Sequence, residues 1–140
     1  MNRRLFTPRE ANELLPFIRE DIERLQKTKR EFVEIALKLR EIRISHEQAA
    51  KEPPEDELFR MEASMEFLQM EAKTLTDSIR LKGAELKDVD HGLVDFPARI
   101  NGEEVLLCWK QGEERIEYYH GRDDGFRGRR PIPEEIEGEP

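Results

Sequence analysis

The spacing of the apolar residues changes at Gly83, and this change limits the folds open to the chain. Before Gly83, apolar residues recur at steps of three and four in two runs, which is typical of helices that bury one seam. After Gly83, apolar and polar residues alternate, as they do in the strands of a sheet with one buried face. The pattern therefore predicts an α+β fold in which helices precede a sheet.

The first helical run begins at a capping box. Thr7 is the predicted N-cap, Pro8 takes the first helical position, and the Glu10 side chain reaches back to the cap. The helix is predicted to continue to about Ser45. Its apolar seam comprises Ala11, Leu15, Ile18, Ile22, Leu25, Phe32, Ala36 and Leu39.

A second helical run follows a short link that contains Pro53 and Pro54. This helix is predicted to end at Gly83, because glycine is favoured just past a helix end. Its seam comprises Leu58, Met61, Met65, Leu68, Ala72, Leu75 and Ile79. Two helices joined by a short link pack antiparallel. Residues 7–83 are therefore predicted to form a long, coiled-coil-like helical hairpin.

The dipeptide Asn101-Gly102 lies between two alternating runs, which is the strongest short signal for a β-hairpin. A two-residue turn at this point pairs Asp95 with Cys108. It also pairs Phe96 with Leu107 and Val94 with Trp109, on the face predicted to contact the helices. A third strand is predicted over Ile116–His120, with Tyr118 beside Leu107, and Ala84–Lys87 is a candidate fourth strand. Residues 84–120 are thus predicted to form a three- to four-stranded antiparallel meander.

Composition and net charge limit the possible domain organisation and binding partners of the chain. Residues 1–132 are predicted to form one domain, with an Arg/Gly loop over 121–132 and a disordered acidic tail over 133–140. The net charge of −8 disfavours binding to nucleic acid or to an acidic membrane surface. No apolar stretch is long enough to span a membrane. The single cysteine, Cys108, excludes an internal disulfide, and we expect a cytoplasmic location.

No catalytic or metal-binding motif is present in the sequence, so single polar residues must be considered one by one. Asp95 and Cys108 are either a small polar site or part of a half-buried face on which the thiol packs as a small apolar group. His91 and His120 offer imidazole ligands beside Asp95, but no fixed ligand spacing joins them. The sequence therefore predicts no catalytic residue, no metal site and no cofactor.

Four arginines and three glycines lie within residues 121–130 of this acidic chain. Such a segment suits an anion, because arginine matches phosphate or carboxylate and glycine lets backbone N–H groups come close. The preferred interpretation is that the arginines pair internally with Asp95, Glu113 or Asp124 and fix the loop on the sheet. The alternative is a small-molecule or anion-binding domain, with an enzyme as one form of it. Its ligand-binding residues would be Asp95, Cys108, Glu113, His120, Arg127, Arg129 and Arg130.

Both helices carry more apolar residues near the hairpin turn than a single seam can bury. An exposed surplus of this kind usually marks an interface. The predicted homodimer interface comprises Ile35, Ile42, Phe59, Ala63, Phe67 and Met70. The function expected from the sequence is a non-catalytic interaction or scaffolding protein that self-associates through its helices, with a different protein partner as an alternative.

Three segments together resemble the bacterial domain-of-unknown-function family 2203. They are Phe6-Thr7 with Ala11-Asn12 and Leu14-Leu15-Pro16; Lys87-Asp88 with Gly92-Leu93-Val94-Asp95-Phe96-Pro97; and Leu107-Cys108-Trp109 with Gly112-Glu113, His120, Gly125-Phe126, Gly128-Arg129 and Pro131. One departure is Tyr119, where the family usually has tryptophan. The resemblance covers nearly the whole chain. It implies a coiled-coil hairpin with a small sheet and implies no particular activity.

Overall fold

The computed structural model describes residues 4–133. Within these residues the chain forms two helices followed by an antiparallel sheet of five strands. The helices are α1 (Pro8–Gln48) and α2 (Glu55–Leu81), and the strands are β1 (Glu85–Asp88), β2 (Leu93–Ile100), β3 (Glu103–Lys110), β4 (Tyr118–Gly121) and β5 (Arg130–Pro131). The predicted α+β class and the order of its elements are confirmed.

The predicted start of α1 and the predicted end of α2 are confirmed. The Thr7 hydroxyl accepts the backbone N–H of Glu10 at 3.1 Å, and the Glu10 carboxylate accepts that of Thr7 at 2.9 Å. Gly83 follows α2 with φ +99°, a conformation that glycine adopts without steric cost. The predicted end of α1 at Ser45 is slightly early, since the helix continues to Gln48.

The β2–β3 hairpin has the predicted register. Asn101 and Gly102 form its turn with φ values of 52° and 83°, as a turn with two left-handed residues requires. Asp95 pairs with Cys108, and the other predicted pairs of this hairpin are also observed. The five strands lie in sequence order, so every neighbouring pair in the sheet is antiparallel.

The predicted register of the next strand is wrong by one residue. Leu107 pairs with Tyr119 rather than with Tyr118, and the strand begins at Tyr118 rather than at Ile116. Ile116 is nevertheless buried in the core, where its backbone N–H donates to Asn12 Oδ1 at 2.8 Å. This contact holds Ile116 before the strand begins. The apolar pattern between Ile116 and Tyr119 therefore does not follow strand alternation.

The segment that the sequence assigns to an Arg/Gly loop contains two short elements. Phe126–Gly128 form a short 3-10 helix, and Arg130–Pro131 form β5, which pairs with β4. The sheet therefore has one strand more than the upper number predicted. The candidate fourth strand is β1, shifted by one residue. The predicted disordered tail lies outside the described residues, apart from Pro133.

The inner face of the sheet packs against the first part of α1 and the end of α2. Trp109, at 1% exposure, lies in this core as predicted, and its indole N–H donates to the Glu113 carbonyl at 2.9 Å. Phe6 joins the sheet through a bridge to Ala98. The core comprises Phe6, Ala11, Leu15, Ile18, Ile22, Ile79, Ala84, Val94, Phe96, Ala98, Ile100, Val105, Leu107, Trp109 and Ile116.

The helices extend far beyond the part that the sheet covers. Polar contacts between α1 and the sheet reach Lys29, whose ammonium contacts the Asp90 carboxylate at 2.7 Å. We call residues 30–74 the distal half of the hairpin. None of these described residues belongs to the hydrophobic core under the sheet. Neither described helix combines the length and the low charge needed to cross a membrane.

Candidate functional site

The outer face of the sheet carries three buried polar side chains. Alternation along β2 and β3 points Asp95 and Cys108 away from the helices, and His120 follows on β4 beside Leu106. Asp95, Cys108 and His120 are 3%, 1% and 3% exposed. The prediction that Asp95 and Cys108 are cross-strand neighbours is confirmed, but their face is buried rather than half-buried. We call these three residues the outer-face cluster.

The His120 ring is held at both nitrogens. Its Nδ1 lies 2.8 Å from the Gly121 carbonyl oxygen, which can only accept, so Nδ1 carries a hydrogen and donates it. Its Nε2 lies 3.1 Å from Asp95 Oδ2. This second contact needs a hydrogen of its own, supplied either by a protonated Asp95 or by a charged His120. The imidazole therefore presents Nε2 to the cluster in a fixed orientation.

Burial shapes the protonation of the other two members. Loss of solvent raises the pKa of the Asp95 carboxyl, an effect that His120 partly opposes. Loss of solvent and the neighbouring Asp95 raise the pKa of the Cys108 thiol to about 12, although Arg129 acts in the opposite direction. The thiol is therefore protonated at neutral pH.

This geometry does not suit cysteine nucleophilic chemistry. A cysteine nucleophile needs a thiolate, which is favoured when a base takes the thiol proton and a third group orients that base. Here the nitrogen of His120 that does not face Asp95 is bonded to the Gly121 carbonyl. The pKa of Cys108 is also raised instead of lowered. The cluster is better suited to holding a ligand than to acylation chemistry.

A cavity of about 230 Å³ lies over the outer-face cluster. Its floor is formed by the strands, and its other side is formed by Arg122, Gly125 and Phe126 of the segment after β4. Lys87 of β1 contributes a cation at its edge. The Arg/Gly segment therefore covers the outer face of the sheet and encloses space directly beside three side chains that can bind a ligand.

Arg129 fixes the covering segment to the sheet. Its guanidinium donates to both oxygens of Glu113, at 3.1 and 2.7 Å, and lies between the rings of Tyr118 and Phe126 at 4.2 and 4.3 Å. Glu113 in turn accepts the backbone N–H of Lys110 at 2.8 Å. Of the internal partners predicted for the arginines, Glu113 is observed with Arg129. Asp95 instead contacts His120, and Asp124 accepts the Gly121 N–H.

The candidate ligand-binding residues do not all converge. Asp95, Cys108 and His120 meet at the cavity, and Arg129 with Glu113 lies beside it. Arg127 is exposed, and Arg130 stacks over Tyr119 at 5.0 Å, on the opposite face of β4 from the cluster. His91 is exposed and contacts Asp88 at 2.9 Å, so it does not join Asp95.

Two cations at the cavity were not singled out from the sequence as ligand contacts. Lys87 and Arg122 both pair with Glu85, at 3.0 and 3.5 Å. Pairing β1 with β2 in the sequence analysis would have placed Glu85 and Lys87 on the outer face of the sheet, because alternate residues of a strand share a face. The two cations share one carboxylate, so this group keeps a positive charge in excess at the edge of the cavity, and Lys87 partly opposes the rise in the pKa of the Asp95 carboxyl.

The comparison with protein families decides the classification. The family described as "Uncharacterized conserved protein (DUF2203)" matches residues 4–132. The chain belongs to this family. The family resemblance inferred from the sequence motifs is therefore confirmed. No curated protein and no solved structure is significantly similar to this DUF2203 chain.

The distal half of the hairpin in this DUF2203 protein presents a second feature, an apolar surface. Phe59, Phe67 and Met70 are 72%, 66% and 68% exposed. Together with Ala63 they follow steps of four, four and three, so they share one face of α2. On α1 the exposed large apolar residues of the distal half are Val33, Leu37 and Ile44. Ile35 and Ile42, which were predicted for the interface, are half-buried.

Proposed function

We propose that this DUF2203 protein is a non-catalytic interaction protein that pairs with a second copy of itself through the distal half of the hairpin. The observation that carries the proposal is the exposure of three large apolar side chains, Phe59, Phe67 and Met70, on one face of α2. We call Val33, Leu37, Ile44, Phe59, Ala63, Phe67 and Met70 the distal surface. Large apolar side chains left exposed together on one helix face are typical of an interface.

Packing within the hairpin supports the need for a partner. In the distal half, α1 and α2 bury only isolated seam residues, namely Leu39, Leu58 and Leu68. Phe32 and Met65, at seam positions, are only half-buried. Helices in proteins gain most of their stability from packing an apolar face rather than from intrinsic propensity. A second hairpin would supply the missing layer and form a four-helix bundle.

A second copy is the partner that fits this surface best. A homodimer uses the same surface twice, and two-fold pairing is the commonest arrangement of soluble oligomers. The distal half carries both signs of charge, as the Arg43–Glu62 ion pair between the helices illustrates. Two copies therefore present both signs of charge to each other, although acidic side chains outnumber basic ones in the distal half.

Light scattering of the purified protein at high micromolar concentration tests the proposal. We expect the parent protein to have the mass of a dimer. Phe67→Asp should have the mass of a monomer, because a charge at the centre of the interface would be desolvated. Phe17→Asp is the matched control, since Phe17 is an aromatic residue 58% exposed near the start of α1, and it should remain dimeric. A monomeric parent protein would contradict the proposal.

A second candidate function is ligand binding at the cavity over the outer-face cluster. The observation that favours it is the convergence of three nearly fully buried polar side chains on one cavity. Concave sites with a few convergent polar groups are the usual form of small-ligand sites. This candidate is independent of dimerisation, because the cavity lies on the sheet and the distal surface lies on the helices.

A further inference from the structure

We infer that Asp95, Cys108 and His120 form a binding site for a divalent metal ion of the zinc class. The inference rests on the second candidate function and names its ligand. It differs from the prediction made from the sequence, which gave no metal site. The side-chain geometry of the outer-face cluster carries the inference.

The three side chains offer one thiol sulfur, one imidazole nitrogen and one carboxylate oxygen. These donor atoms lie within 4.8 Å of one another. A tetrahedral zinc ion with bonds of about 2.0–2.3 Å requires donors that are roughly 3.3–3.8 Å apart. The donors would therefore have to come closer by at most about 1.5 Å. This ligand set is typical of zinc and of related ions, whereas magnesium and calcium prefer oxygen alone.

The orientation of His120 matches that of a metal-binding histidine. Such a histidine usually donates its other ring N–H to a carboxylate or to a backbone carbonyl, which fixes the tautomer and directs the free nitrogen to the ion. Here Nδ1 donates to the Gly121 carbonyl at 2.8 Å. Nε2 is left facing Asp95 and Cys108, where a metal ion would replace the hydrogen that Nε2 and Asp95 share.

Charge balance also favours a divalent cation. Binding converts the Cys108 thiol to a thiolate and leaves Asp95 as a carboxylate, so two protons leave the site as one divalent ion enters. The buried site is then neutral as a whole. Of the cations nearby, Arg129 is paired with Glu113, whereas Lys87 and Arg122 share Glu85. An anionic ligand, by contrast, would meet the Asp95 carboxylate at the floor of the cavity.

The cavity supplies a fourth coordination position. Three protein ligands plus one open position is the arrangement found in catalytic zinc sites, whereas structural sites use four protein ligands. The space of about 230 Å³ beside the cluster can hold water or a small ligand at that position. The covering segment, through Gly125 and Phe126, limits the size of that ligand.

Titration with Co²⁺ tests the inference, because a thiolate bound to Co²⁺ absorbs strongly in the near ultraviolet. The protein is treated with chelator, freed of any affinity tag and titrated while its fold is monitored by circular dichroism. We expect one equivalent of Co²⁺ to bind, a thiolate-to-metal absorption band to appear, and Zn²⁺ to displace the cobalt. A parent protein that binds no cobalt, or binds it without the thiolate band, would overturn the inference.

Variants of Cys108 and Asp95 test whether the metal binds at the outer-face cluster. Cys108→Ser should abolish the band and weaken binding at least about tenfold, and Asp95→Asn should weaken it similarly. His91→Ala is the matched control, because His91 is exposed beside Asp88, and it should leave the band and the affinity unchanged. Equal affinity in the parent and in a folded Cys108→Ser variant would assign the metal to another site and overturn the inference. Failure here would leave the dimer proposal unaffected, because light scattering tests that proposal separately.

Discussion

Replacing Trp109 with alanine is expected to lower the free energy of unfolding by about 3–5 kcal/mol. The indole is almost fully buried between the sheet and α1, so its removal exposes a cavity in the core. The variant also leaves the Glu113 carbonyl without the indole N–H that it accepts at 2.9 Å. A small domain has roughly 5–15 kcal/mol of stability in total, so the variant should be only marginally folded.

Urea denaturation followed by circular dichroism measures this effect. Protein concentration must be held fixed between variants, because dimerisation makes the apparent stability depend on concentration. Trp109→Phe keeps most of the apolar volume and should lose less stability than Trp109→Ala. Phe17→Ala, at an exposed aromatic position of α1, should change stability by less than about 0.5 kcal/mol. A Trp109→Ala variant as stable as the parent would mean that the inner and outer faces of the sheet are reversed.

Replacing Arg129 with alanine is expected to destabilise the protein by about 2–3 kcal/mol, since it leaves a mostly buried Glu113 carboxylate unpaired. The Arg129 and Glu113 side chains are only 19% and 23% exposed, so solvent screens their interaction weakly. The variant also removes the cation that lies between Tyr118 and Phe126. The covering segment over the cavity should loosen as a result.

Thermal melts of Arg129→Ala and of the control variant Arg127→Ala measure this effect. Arg127 lies in the same segment but is exposed, so its loss should change stability by less than about 0.5 kcal/mol. Melts of the parent with and without millimolar phosphate and sulfate should coincide, because Arg129 is engaged by Glu113. A parent protein stabilised by phosphate, together with an unchanged melt for Arg129→Ala, would instead favour an anion site.

The parts of the fold that local chemistry specifies could be predicted from the sequence. Thr7 and Glu10 identify the start of α1 because each side chain has one backbone partner within reach. Asn101 and Gly102 determine the β2–β3 register because a two-residue turn allows a single pairing of the flanking strands. The pairing of Asp95 with Cys108 follows from that register.

The register of β4 could not be predicted because a contact with a distant residue determines it. Asn12 on α1 bonds the backbone of Ile116 at both N–H and C=O, which keeps Ile116 in the core ahead of the strand. The predicted register treated Ile116 as part of the strand and placed Tyr118 inward. A shift of one residue exchanges the two faces of a strand. His120 therefore faces outward, on the side of Asp95 and Cys108, where the predicted register would have turned it toward the core.

The burial of the outer face of the sheet also could not be predicted from the sequence. Alternation identifies Asp95 and Cys108 as outward, which suggests partial exposure. Their burial depends on the segment that includes Gly125 and Phe126, and that segment is held by the contact between Arg129 and Glu113. Glycine-rich chain has no periodicity from which its path could be inferred.

Distances between spin labels test the central claim, that the distal half of the hairpin is where two copies meet. A nitroxide attached through Ser64→Cys lies on exposed α2 beside Ala63, whereas one attached through Glu103→Cys lies on the sheet. The native Cys108 is buried and should not take up label. We expect a clear intermolecular distance for the Ser64 label that disappears when Phe67→Asp is added, and a much longer distance or none for the Glu103 label. A Ser64 label without any intermolecular signal, or a shorter distance at Glu103 than at Ser64, would contradict it.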